Sequence, residues 1–303
     1  MISPYFSIIL PVLNAEQTIR KALSSIQRQT FQDFELLVLD GGSTDQTLQQ
    51  VARFGGTRSR LVSEADYGVY DAMNKGISLA KGQWLYFLGA DDCLYEDSTL
   101  QKVEEAIRGV PEARLIYGNV LRPGQILYGG RFTYRTLLER SICHQSLFYR
   151  KDVFGLFGYY NMKYLVYADQ AFNFKLFYGL DESAIIFVDQ IIARFSEGGL
   201  SSREFDNAFW RDIPKIYADA IKNDGPKIVY RGLARGEIAH FYFSAVPDPF
   251  CHKIRAAAIL AWQGRSLQPV RLLRRPLIQS LRGWVRHLPG YDGLRSMYRR
   301  VFG

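Results

Sequence analysis

Apolar residues fall in short blocks along the first part of the chain. Each block closes on a polar or glycine-rich turn, and residues at helical spacing follow. Phe6-Ser-Ile-Ile-Leu-Pro-Val12 has the near-continuous apolar character of a strand buried on both faces. Asn14 then reads as an N-cap for a helix whose apolar face carries Ile19, Leu23 and Ile26. Phe34-Glu-Leu-Leu-Val-Leu-Asp40 is a second buried strand that ends on a carboxylate and runs into the turn Gly41-Gly-Ser-Thr-Asp45. A helix from about Asp45 to Phe54, a strand Arg60–Glu64, a helix near Asp71–Ala80 and a strand Trp84–Leu88 continue the alternation, and Gly89-Ala-Asp-Asp92 follows. Strand and helix alternating over roughly the first 120 residues predict an α/β domain with a largely parallel sheet.

Beyond Leu115 the alternation is less regular. Tyr117–Val120 and Gln125–Arg131 suit a strand pair, Gln145–Tyr149 another strand, and Asp169–Tyr178 a helix with Phe172 and Leu176 at four-residue spacing. This part is expected to complete the same core up to about residue 204, with a helical extension over 205–303. No internal repeat or low-complexity tract interrupts the 303 residues, and 48% hydrophobic with 22% charged is globular composition. Disordered, collagen-like and small disulfide-framework classes are thereby excluded. Cys93, Cys143 and Cys251 are few, scattered and free of any C-x-x-C pair, which suits a reducing cytoplasm. The N-terminus lacks a basic and then apolar leader pattern, and no apolar run approaches the ~18 residues of a membrane span.

Polar residues recur where successive strands end: Asn14, Asp40, Glu64 with Asp66, and Asp91 with Asp92. In open α/β sheets ligands bind at that edge, because the strand-to-helix loops converge there. Adjacent acids repel unless a cation or hydrogen-bond donors balance them. Mg²⁺ or Mn²⁺, which takes one or two carboxylates together with phosphate oxygens and waters, would suit Asp91–Asp92. The same pair would also suit a helix start, with Asp92 capping a helix through Leu94 and Glu96.

Four ordered motifs carry a resemblance: Pro11-Val-Leu-Asn14, Asp40-Gly-Gly-Ser-Thr-Asp45-Gln-Thr47, Ser63-Glu-Ala-Asp-Tyr-Gly-Val-Tyr-Asp-Ala-Met-Asn-Lys-Gly76 and Ala90-Asp-Asp92. Over about residues 5–200 the chain resembles family 2 glycosyltransferases, inverting enzymes of the GT-A fold that use nucleotide-activated sugars. The third motif resembles a bacterial subgroup associated with surface polysaccharide and glycolipid assembly. The resemblance implies that Pro11 and Asn14 border the nucleotide pocket. Asp40 would accept a uracil N–H, and Asp66 would close the other side of the base or ribose. Asn74 and Lys75 would lie near the donor, Lys75 offsetting diphosphate charge. Asp92 would be the ligand of a Mg²⁺ or Mn²⁺ cofactor, with Asp91 touching the ribose or the ion's water shell. This chain has Ala90-Asp91-Asp92 where the usual motif has two acids flanking one residue. The family's general base matches Asp169 in Val166-Tyr-Ala-Asp-Gln170, although a carboxylate at a helix start is also ordinary dipole chemistry. His144 becomes an acceptor-side candidate. A Cys143–His144 dyad is rejected because neighbours on an extended chain face opposite ways.

Glu197-Gly-Gly-Leu-Ser-Ser202 reads as a turn or a flap over the donor, and His240, His252 and His287 show no metal-ligand spacing. The overall charge of +8 belongs to the tail: residues 251–303 hold eleven Lys/Arg against one acid, Asp292, whereas the first 250 hold 27 basic and 29 acidic residues. A nucleic-acid-binding body is therefore not expected. Val270, Leu273, Leu277, Leu281, Trp284 and Leu288 make an apolar helical face among arginines, interrupted at Pro276. Such a segment suits peripheral contact with anionic lipid at the inner face of the cytoplasmic membrane, or a helix packed on the core. The expected function is sugar transfer from a nucleotide-sugar, UDP-linked, to a hydroxyl of a glycan or lipid-linked glycan. A sugar-phosphate nucleotidyltransferase would want a glycine-rich phosphate loop after the first strand, and a dinucleotide enzyme G-x-G-x-x-G; neither is present. A non-catalytic anionic-membrane or nucleic-acid module would leave the acid-lined edge without a purpose.

Overall fold

The computed structural model describes residues 3–133, 136–137, 140–196, 199 and 206–222. Its first strands and helices follow the sequence pattern closely: β1 (Phe6–Val12), α1 (Ile19–Gln27), β2 (Phe34–Asp40), α2 (Thr47–Phe54), β3 (Ser59–Ser63), α3 (Val69–Leu79) and β4 (Trp84–Phe87). Then come β5 (Cys93–Leu94), α4 (Thr99–Arg108), β6 (Leu115–Arg122), β7 (Ile126–Tyr128), β8 (Leu147–Arg150), α5 (Asp152–Phe157), α6 (Ala168–Gly179), β9 (Ile185–Arg194) and α7 (Asn207–Lys222). One mixed sheet runs β3-β2-β1-β4-β8-β6-β9-β5, with β7 paired to β6. β1 to β4 are mutually parallel, β8 is antiparallel to both β4 and β6, and β9 is parallel to β6. Two reversals about β8 therefore make β6 and β9 point the same way as β1 to β4. The C-terminal ends of six strands and the segment entering β8 share one edge.

Strand order reverses direction at β1, with β2 and β3 added on one side and β4 on the other. That switch point opens a crevice between the loops after β1 and β4. Every residue of β1 is buried, as a strand covered on both faces requires. Pro11 is tolerated there for a local reason. Ile9 faces β4, accepting from the Leu88 amide at 3.1 Å, so Pro11 turns its nitrogen to the same side beyond the last paired residues, Ile9 and Phe87. Helix α3 packs on β1 so closely that a Cβ at Gly76 would stand 2.5 Å from Cγ2 of the fully buried Ile9.

Three expectations change. Asn14 does not cap α1, which begins at Ile19 after Thr18; Asn14 sits at φ 49°, a region asparagine tolerates, and its side chain is used between loops. Nor does Asp92 cap a helix. Cys93–Leu94 pair with Arg194 and Ala193, and α4 starts only at Thr99. Finally, the compact unit runs to Ile216, past the boundary expected at 204, since Phe209 and Ile213 on α7 are buried. The second unit, Tyr217–Gly303, carries the basic amphipathic tail, which lies outside the described residues, as does nearly all of Glu197–Ser202. Among the described residues no helix is long and apolar enough to cross a membrane.

A Gly76→Ala substitution separates propensity from packing. Alanine favours the helix by up to about 1 kcal/mol, but the clash with Ile9 outweighs this, and a net loss of about 1–2 kcal/mol is expected. A urea midpoint equal to or above wild type would show that α3 does not ride on β1 at this distance.

Candidate active site

The loops after β1 and β2 are tied to one another. Asn14 accepts from the Thr44 amide at 2.9 Å and its own amide donates to Ser43 Oγ at 2.8 Å, joining the β1 and β2 loops. Asp45 accepts from the Glu16 amide at 3.1 Å and the Thr47 amide at 2.9 Å. Asp40 is 2% exposed at the end of β2. Its carboxylate accepts from the amides of Gly42 and Ser43, each at 3.2 Å, and from Ser63 Oγ at 2.6 Å. Burial works to raise its pKa, but the bonds from Ser43, Ser63 and Gly42 together hold it below the usual carboxylate value. Asp66 reaches over this turn: a Cβ on Gly41 would lie 2.5 Å from its Oδ2 and would push the carboxylate aside. Asp66 thus lies against the turn that follows Asp40.

Lys75 and Asn74 are committed locally. Lys75 pairs with Glu64 at 3.1 Å and Asp71 at 3.3 Å, and the bond to Glu64, with Asp71 second among the partners, raises its pKa against partial desolvation. Asn74 Nδ2 donates to the Tyr160 carbonyl at 2.9 Å while its Oδ1 accepts the Tyr160 amide at 3.0 Å. Both ends of that amide therefore clamp a backbone segment.

Asp92 is the centre of the arrangement. It is 2% exposed, with Oδ1 accepting from the Ser196 amide at 2.8 Å and Oδ2 from Gln145 Nε2 at 2.6 Å. Ser196 Oγ donates in turn to the Asp91 carbonyl at 2.6 Å. A Cβ at Gly89 would meet Asp92 Oδ2 at 2.6 Å and Asp91 Oδ1 at 2.9 Å, so the turn folds back on its own acids. Burial, then the neighbouring Asp91 charge, push Asp92 above the usual carboxylate range against Ser196, Gln145 and His144. Among the described residues neither acid has a Lys or Arg partner, and no group of three His, Cys, Asp or Glu forms a closed metal cage. An unbalanced carboxylate pair fits a divalent ion that completes its shell with phosphate and water oxygens.

Gln145 belongs to a 3₁₀ turn, His144–Ser146, which brings His144 beside the same edge. His144 Nδ1 lies 3.8 Å from Asp169 Oδ2, and its buried Nε2 has no hydrogen-bond partner among the described residues. Asp169 opens α6, a helix buried on most sides, and its Oδ1 accepts from Tyr70 Oη at 2.7 Å. Burial and the Asp169 charge hold the Tyr70 phenol well above its ordinary pKa, keeping it a donor. Cys143 is raised to about 12 by burial, so it stays a thiol and the dyad is excluded.

The match to known proteins follows this geometry. Residues 7–164 fit the model of glycosyl transferase family 2, and the chain is 44% identical over 222 residues, 71% of its length, to a PGL/p-HBAD biosynthesis glycosyltransferase of Mycobacterium bovis, covering 86% of that protein. The chain is a family 2 glycosyltransferase. It is also 33% identical over 114 residues to the UDP-Glc:alpha-D-GlcNAc-diphosphoundecaprenol beta-1,3-glucosyltransferase WfgD of Escherichia coli, 37% of this chain and 44% of that one. Residues 1–349 of S. aureus TarS, crystallised with UDP-GlcNAc, superpose with a TM-score of 0.69 at 20% identity, over 88% of this chain and 83% of that one. The mannosyltransferase PcManGT of Pyrobaculum calidifontis, solved with GDP-Man and Mn²⁺, gives 0.61 at 18% identity over 98% and 84%. At these identities the structures establish the GT-A fold of this glycosyltransferase.

Several residues that build the site of this glycosyltransferase are invisible to motif reading. Asp206, 2% exposed, accepts from the amides of Val166 at 2.9 Å and Phe209 at 3.0 Å, fixing the approach to Asp169 and capping α7. Ser196 is an ordinary polar residue in sequence, whereas Ser63 and Tyr70 stood inside a quoted motif without a role of their own.

Ser63→Ala tests the Asp40 network. Losing one donor to a charged group costs about 1.5–3 kcal/mol while Asp40 is ionised. A depressed pKa stabilises fully above the unfolded value, near 3.9, and that contribution disappears as pH falls through the folded value. The stability gap between wild type and Ser63→Ala should be complete at pH 7 and close below about pH 4. A pH-independent gap would mean that Ser63 does not act through the carboxylate.

Proposed function

We propose that this glycosyltransferase binds a UDP-sugar across the β1–β4 edge and transfers the sugar, with inversion, to a hydroxyl of a glycan or lipid-linked glycan. One observation carries the reading: Gln145 holds Asp92 from a turn whose neighbour, His144, faces Asp169. Donor-side and acceptor-side groups are thereby set next to each other. Asp40, and Asp66 against the turn that follows it, supply acceptors for a base N–H and ribose hydroxyls, and Pro11 and Asn14 form the adjoining wall. Asp92, with Asp91 beside it, would hold Mg²⁺ or Mn²⁺, which supplies charge neutralisation for the departing diphosphate. Lys75, paired with Glu64 and Asp71, sets the loop bearing Asp66, and Asn74 sets the Tyr160 segment.

For the transfer, the acceptor oxygen forms a bond to the anomeric carbon as the bond to the nucleoside diphosphate breaks, the electron pair leaving with the diphosphate. Asp169 takes the hydroxyl proton. Its Oδ1 is engaged by Tyr70, so Oδ2 is the basic oxygen. The 3.8 Å gap from Oδ2 to His144 exceeds hydrogen-bond length and leaves room for an acceptor hydroxyl to touch both groups. The named likenesses support parts of this reading: a UDP-GlcNAc complex and a GDP-Man–Mn²⁺ complex share the fold, and WfgD is named for a diphosphoundecaprenol-linked acceptor. Peripheral membrane contact through the basic tail belongs to the same proposal and is tested by vesicle binding of the full chain with and without residues 251–303.

Calorimetric titration with UDP, in Mn²⁺ and in EDTA, should show metal-dependent binding that Asp92→Ala abolishes. Asp169→Asn should keep UDP binding and lower turnover by about 10²–10⁴-fold. Equal UDP binding in EDTA and Mn²⁺ would remove the cation from the reading, and full turnover in Asp169→Asn would remove the base.

A further inference from the structure

The β6–β7 hairpin carries a feature that sugar transfer as described leaves unused. The Arg122 guanidinium lies over the Tyr128 ring at 4.7 Å and within 5.5 Å of the Phe195 centroid. Arg140 lies over Phe132 at 4.7 Å and within 5.6 Å of the same Tyr128 ring. Tyr128 is thus shared by two cations, and its hydroxyl is anchored on the Ser141 carbonyl at 2.6 Å. Some described arginines lie over a ring as these two do, Arg20 and Arg53 over Phe54 among them; others have carboxylate partners: Arg28 with Asp97, Arg108 with Glu104, and Arg114 and Arg150 with Asp152. Arg122 and Arg140 have none among the described residues. Stacking orders a guanidinium while leaving its N–H fork free for two parallel bonds to an oxyanion. Two guanidiniums that share one ring also repel each other, and a bound anion offsets that repulsion.

The location decides what the anion would be. β6 ends at Arg122, on the same edge as Asp92. The Phe195 amide donates to the Leu121 carbonyl at 2.9 Å, and the next residue, Ser196, holds Asp92. On the other side, the segment from Arg140 runs through Ser141 and Cys143 to His144. Cys143 lies within electrostatic reach of Arg122 on one hand and of Asp169 and Asp92 on the other. The donor's diphosphate has its place in the β1–β4 half, whereas these arginines rise from the half that carries His144. The Asp91–Asp92 carboxylates would repel a phosphate carried by the acceptor, and the arginine pair would attract it.

We propose that Arg122, Tyr128 and Arg140 form a phosphate-binding subsite for the acceptor, which therefore carries a phosphate or diphosphate ester. The inference rests on the acceptor entering on the His144 side. A sugar phosphate in solution and a lipid-linked phosphate share this chemistry.

The test uses the full chain with UDP and Mg²⁺ at saturation, so that the donor pocket is filled. It is titrated with glucose 1-phosphate, with octyl phosphate and with the uncharged octyl glucoside. Either phosphate should bind at least about tenfold tighter than octyl glucoside, the worth of one charge-assisted contact. The tighter of the two phosphates identifies the soluble or the lipid-linked source. Arg122→Gln with Arg140→Gln should erase the preference and leave UDP affinity unchanged; the paired Lys substitutions should restore part of it. No preference in wild type, or a preference that survives the Gln pair, overturns the subsite. Loss of UDP affinity in the Gln pair also overturns it, by assigning the arginines to the donor. Failure of the donor reading shows separately, as absence of UDP binding in wild type.

Discussion

A carboxylate that is 2% exposed must have its lone pairs satisfied or pay a large desolvation penalty, and Asp92 satisfies them from two distant parts of the chain. Gln145 comes from the turn before β8 and Ser196 from the segment after β9. The one side chain therefore closes the β4 loop, the β8 entry and the β9 exit around a point. Almost everything proposed for the site depends on that closure. His144 is the neighbour of the Gln145 that Asp92 holds, and Ser196 follows the Phe195 whose amide donates to the Leu121 carbonyl of β6. Burial, and then the adjacent Asp91 charge, hold the Asp92 pKa above the usual carboxylate value, and among the described residues no Lys or Arg pairs with either acid. A bound cation would complete the balance.

The two halves of the edge handle charge differently. In the β1–β3 loops the acids are neutralised by hydrogen bonds. Asp40 and Asp45 gather amides and hydroxyls, which lower their pKa values despite the cost of burial. Those carboxylates stay ionised acceptors, suited to N–H and O–H groups of a nucleoside. At the Asp91–Asp92 turn the donors are too few, which suits a metal–diphosphate. On the β6–β7 hairpin the excess is positive and is held by aromatic faces. A nucleotide-sugar donor lying beside an acceptor that bears a phosphate ester, as proposed, would follow this gradient.

Much of the first half was legible because buried parallel strands write themselves as apolar blocks. β1 and β2 occupy the residues the pattern predicts, and Asp40 sits where an acid ending a buried strand should. What local pattern could not show were side chains whose partners lie far along the chain. Asn14 looks like a cap until Thr44 is beside it, and Asp92 does too until Gln145, 53 residues later, arrives. Asp206 gives no signal at all, since its role is to bind amides 40 residues upstream. Helix α6 hides its orientation for another reason: apolar residues cover most of its surface, so no single face announces where Asp169 points.

Helix α3 shows why the donor and acceptor halves cannot be tuned independently. Its first turns carry Tyr70 and Asp71, and its middle carries Asn74, Lys75 and Gly76. Asp71 and Lys75 set the loop that brings Asp66 over Gly41, while Asn74 clamps Tyr160 and Tyr70 holds Asp169 Oδ1. Gly76 fixes the whole helix against Ile9 of β1. A shift of α3 that widened the nucleotide pocket would therefore also draw Tyr70 from the base. Because Tyr70 Oη lies 2.5 Å from the Val166 carbonyl as well, it would disturb the turn that opens α6. In the proposed reading, donor fit and base alignment are one mechanical variable, set by how deeply α3 seats on β1.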